Sequence, residues 1–72
     1  MSLEDDLAIT TGYVTNVRRS IAQQLVRIVK LADAGCSTWD AQENLQAFRS
    51  TLSVLEGHER RLRDMQCRAA SA

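Results

Sequence analysis

The stretch Ala34-Gly35-Cys36-Ser37-Thr38 decides the fold. Gly35 follows a long run of apolar residues at helical spacing, and glycine readily takes the left-handed conformation that closes a helix. Ser37 or Thr38 then offers a hydroxyl to the free N–H groups of a following helix. Asp40 is placed for a Ser-x-x-Asp variant of the capping box, and Asp40 with Glu43 puts negative charge where the new helix's dipole favours it. A closing glycine and an opening hydroxyl this near to each other predict helix, tight turn, helix.

Outward from the turn, a 3-4 spacing runs back through Leu31, Ile28, Gln24, Ile21, Val17, Val14, Thr10 and Leu7. Forward it runs through Ala41, Leu45, Phe48, Leu52, Leu55, Glu59, Leu62 and Gln66. Alternating steps of three and four mark a packed helical seam and are incompatible with the period of two of a strand. Leu31 then meets Ala41, Ile28 meets Leu45, Gln24 meets Phe48, Ile21 meets Leu52, and Val17 meets Leu55. The paired numbers add to 72 or 73 throughout, as two antiparallel helices folded about one turn require. The expected fold is all-α, an antiparallel coiled-coil hairpin. Its expected bounds are helix 1 over about 7–34, turn 35–38, helix 2 over about 39–67, and a disordered tail 68–72.

Toward the open end the seam is expected to weaken, with Val14 facing Glu59 and Thr10 facing Leu62. Thr10-Thr11-Gly12-Tyr13-Val14-Thr15 is rich in poor helix formers, so helix 1 is expected to be firm from Val14 and frayed or kinked before it. Ser2 with Asp5 offers an earlier start.

Composition narrows the class further. The chain has 72 residues, nine basic and nine acidic, with no formal net charge and 44% hydrophobic residues. That is one small domain, too apolar for a disordered tail. Three glycines and no proline leave little turn punctuation for a β fold. No apolar run approaches the ~20 residues of a membrane helix, and MSLEDDLAIT is acidic where a secretory signal would be basic. A cytoplasmic protein without a membrane partner is expected. Cys36 and Cys67, on either side of a continuous helix, would be roughly 46 Å apart. That is beyond disulfide reach and beyond a shared metal, so two free thiols are expected and no cofactor.

Two helices touching along one stripe leave much of a short chain wet, and such chains need a staple or a partner. Ala22, Leu25, Val26, Val29 and Ala32 flank the seam on helix 1, and Ala47, Thr51 and Val54 flank it on helix 2. The favoured expectation is a homodimer closing a four-helix bundle, its interface drawn from Ala22, Leu25, Val26, Val29, Ala47 and Val54. An unidentified protein partner is the variant of the same idea. Gln24, the polar residue in the firm part of the helix 1 seam, is read as setting register opposite Phe48. Trp39 is expected to fold over the turn end or to join the interface.

The alternative is a phosphotransfer-like or nucleic-acid accessory module, using His58 and the Arg60, Arg61 and Arg63 patch. Against it, Glu4-Asp5-Asp6 should lie alongside Arg63 and Arg68, and Glu56, Glu59 and Asp64 precede Arg60, Arg63 and Arg68 by four residues, as helical ion pairs do. Zero net charge removes the long-range field that phosphate binding exploits. His58 lacks the following lysine and glycine of histidine phosphotransfer modules; Arg61 and Leu62 stand there. No nucleophile–base pair or phosphate-cradling loop is present, so an enzyme is not expected.

Ile21-Ala22-x-Gln24, Leu31, Gly35, Thr38, Ala41, Leu45, Phe48, Thr51-Leu52, His58 and Leu62 together resemble a group of short uncharacterised bacterial proteins common in α-proteobacteria. The likeness spans about two-thirds of the chain and falls mostly on seam and turn positions. It implies the hairpin and brings no catalytic residue with it. The departure from the group is the apolar character of Leu25, Val26 and Val29.

Overall fold

The structure, a computed structural model, describes residues 2–71. It consists of α1 (Leu3–Asp33) and α2 (Trp39–Ser71), packed against each other as an antiparallel hairpin measuring 59 × 17 × 14 Å. Every position of the two expected seams is buried or half-buried, from Leu7 to Leu31 and from Ala41 to Gln66.

The turn is a Schellman closure. Gly35 has φ +71°, its N–H donates to the Ala32 carbonyl at 3.0 Å, and the Cys36 N–H donates to the Leu31 carbonyl at 2.9 Å. The two hydroxyls that follow divide their work. Ser37 Oγ accepts from the Trp39 N–H at 3.3 Å, while Thr38 Oγ1 accepts from the Gln42 side-chain amide at 2.6 Å. Asp40 takes no part in a capping box with Ser37 among the hydrogen bonds of the described residues, although it does supply the acidic first turn of α2.

The open end differs from expectation. Helix α1 begins at Leu3, not near residue 7, and is helical throughout the threonine-rich stretch. Ser2 caps it by accepting from the Asp5 N–H at 3.1 Å. The threonine hydroxyls are absorbed locally: Thr10 Oγ1 donates to the Asp6 carbonyl at 2.8 Å, and Thr15 Oγ1 to the Thr11 carbonyl at 3.1 Å. Thr10 and Val14 are the two buried residues of α1, and Leu62 is buried on α2 at the same end. Packing has overridden weak intrinsic propensity here. The seam therefore tightens where it was expected to loosen. The tail is corrected as well: α2 continues through Arg68 to Ser71, whose hydroxyl donates to the Cys67 carbonyl at 2.9 Å, while Ala72 lies outside the described residues.

Candidate association surfaces

Two cross-helix bonds fix which sides of the helices share a face. Arg18 Nη2 donates to Glu56 Oε2 at 2.8 Å, and Thr11 Oγ1 donates to Glu59 Oε2 at 2.9 Å. At about 100° per residue, Leu25 and Val29 point within about 20° of the direction of Arg18. On α2, Ala47, Thr51 and Val54 point about 140–180° away from Glu56. The two apolar flanks expected to form one interface therefore lie on opposite faces of the hairpin.

They are also unequal. Leu25, Val26 and Val29 are 44%, 54% and 59% exposed and line one shallow hollow with Lys30. On α2, Val54 is 70% exposed and lines a hollow with Ser50, Thr51 and Leu55. Ala22, Ala32 and Ala47 are exposed, each beside the larger residues of its own helix. No residue of α1 after Val14 is buried, so the helix that carries the larger patch is also the less covered one.

Gln24 stands in the seam as expected, half-buried, yet its Oε1 is buried with no hydrogen-bond partner among the described residues. Trp39 does not fold over the turn within the hairpin; it is 68% exposed. Cys36 and Cys67 are both free and exposed.

The basic stretch is split around the helix, with Arg60 and Arg63 about 60° apart and Arg61 turned away from both. Arg61 and Arg63 diverge by about 160° around α2, and Arg63 lies 3.7 Å from Glu59. Glu56 turns to Arg18 in place of Arg60, and among the described residues no ion pair joins Glu4, Asp5 or Asp6 to Arg63 or Arg68. His58 is exposed on the same stretch with no hydrogen bond from its ring among the described residues. Among the described residues, no helix is long and apolar enough to cross a membrane. Comparison with family models, with curated proteins and with solved structures finds no match.

Proposed function

We propose that this hairpin is an association module that works by binding a second copy of itself through the turn-proximal half of α1. The observation that carries the proposal is that no residue of α1 after Val14 is fully buried, while Leu25, Val26 and Val29 are exposed side by side. Clustered apolar exposure of this kind marks contact sites.

Area and shape support it. A compact monomer of 8.0 kDa would expose about 4,450 Å². This chain exposes 5384 Å². The excess of roughly 900 Å² reflects the open rod shape, which leaves surface for a partner to cover. Its radius of gyration is 16.6 Å, where a compact chain of this length has about 11 Å. Zero net charge leaves no net repulsion to oppose self-association. Nothing in the scattered arginines or the isolated His58 favours phosphotransfer or nucleic acid as strongly.

Sedimentation over 1–100 µM (on the order of usual working range) tests the proposal. The parent chain should sediment as an oligomer, and Leu25→Glu and Val29→Glu should each give a folded monomer. A parent chain that is monomeric and helical throughout that range would overturn it.

A further inference from the structure

We propose that the second copy docks antiparallel along α1, overlapping only the turn-proximal halves of the two hairpins. This rests on the self-association above and adds its direction and register.

Beside the seam, α1 carries a second 3-4 stripe: Ala22, Leu25, Val29 and Ala32. Run against itself in reverse, the stripe is self-complementary. Ala22 meets Ala32 of the second copy, and Leu25 meets its Val29, so large faces large and small faces small in every layer. In an isologous two-fold contact each such pair occurs twice, so the Leu25–Val29 contact is made on both sides of the axis. The stripe lies about 100° around α1 from the seam that holds α2, which is the corner geometry of a helical bundle.

The charges choose the direction. Arg19, Val26 and Asp33 follow one another at intervals of seven, a straight line along the stripe's outer edge. All three are exposed, and neither Arg19 nor Asp33 has an ion-pair partner among the described residues. In the antiparallel register the two-fold axis is level with Arg27, and Val26 sits one residue from it. Each Arg19 then lies about 3 Å along the helix from the level of the other copy's Asp33, within reach of the two side chains. In a parallel arrangement the two edges would lie on opposite sides of the contact, and Arg19 and Asp33 would gain no partner there. Flanking charges of this kind set the orientation of paired helices.

The register also fixes the shape. Its axis passes between Leu25 and Val29, about 13 Å from the turn at 1.5 Å per residue. Two rods of 59 Å overlapped there make a particle about 90 Å long, whereas full side-by-side overlap would stay near 60 Å.

Charge reversal tests this directly. Arg19→Asp alone and Asp33→Arg alone should each weaken the dimer by about fivefold or more, since each turns two attractions into repulsions. The double variant should recover parental affinity, and the two single variants should form a heterodimer when mixed. Circular dichroism confirms that each variant keeps its helices, and small-angle scattering of the parent should give a maximum dimension of about 90 Å. A dimer about 60 Å long, or one indifferent to both reversals, would overturn the register and leave self-association standing. A parent chain that stays monomeric at about 100 µM would remove both proposals.

Discussion

Thr11 and Glu59, 48 positions apart, are joined by a 2.9 Å hydrogen bond that crosses from α1 to α2 in the open half of the hairpin. Glu59 sits at a seam position with a side chain only 13% exposed, so its carboxylate is taken largely out of water and needs that donor. Arg18 and Glu56 make a shorter contact, 2.8 Å, with side chains 60% and 38% exposed. Distance and strength part company here, because solvent screens the second pair.

Thr11→Val should therefore cost about 1.5–2 kcal/mol, the range for a bond to a charged acceptor left largely unsatisfied. Arg18→Ala should cost under about 0.5 kcal/mol. Urea unfolding of both variants at a fixed protein concentration measures the two, and equal losses would contradict the ordering.

Gln24→Leu should raise stability by about 1–2 kcal/mol, since it removes a buried acceptor that no described protein group satisfies. The gain should appear as a higher urea midpoint with an unchanged slope. A destabilised variant would mean that the amide holds the helices in register more strongly than its desolvation opposes them.

Two glycine substitutions should have opposite signs. A Cβ at Gly35 meets nothing within 4 Å, so the penalty of Gly35→Ala comes from φ +71° alone, about 1–2 kcal/mol. A Cβ at Gly12 also meets open space, inside a helix, and Gly12→Ala should gain about 0.5–1 kcal/mol. Thermal melts of the pair settle it; a shift in the same direction for both would refute the local account.

Leu62→Ala should cost about 2–4 kcal/mol, because Leu62 is only 6% exposed. Val54→Ala, at 70% exposure, should stay within about 0.5 kcal/mol and leave the oligomeric state unchanged. Denaturation and sedimentation of both variants would show whether the open end is as firmly packed as its burial indicates.

The hairpin was legible because two seams and one glycine agree with each other. The constant pairing of Leu31 with Ala41 through Val17 with Leu55 needs no structure to be seen, and Gly35 marks the closing point. The first dozen residues depart from expectation because propensity treats Thr10, Thr11 and Thr15 as isolated β-branched residues. Their hydroxyls bond Asp6, Glu59 and Thr11, which one-dimensional preference does not count. The opposite facing of Leu25 and Val54 was readable in principle from 100° increments. It needed one cross-helix contact, Arg18 with Glu56, to fix the handedness of the comparison.

The antiparallel packing of α1 and α2 has an electrical consequence. At the open tip, the acidic first turn of α1, Glu4 to Asp6, lies level with the last turn of α2 and its Arg68. At the other tip, Lys30 in the last turn of α1 is level with Asp40 in the first turn of α2. Two long helix dipoles of opposite sense cancel, and each tip carries charges of both signs. Among the described residues neither tip carries charge of one sign alone, so an approaching molecule takes its heading chiefly at contact distance, from side-chain shape and local charge.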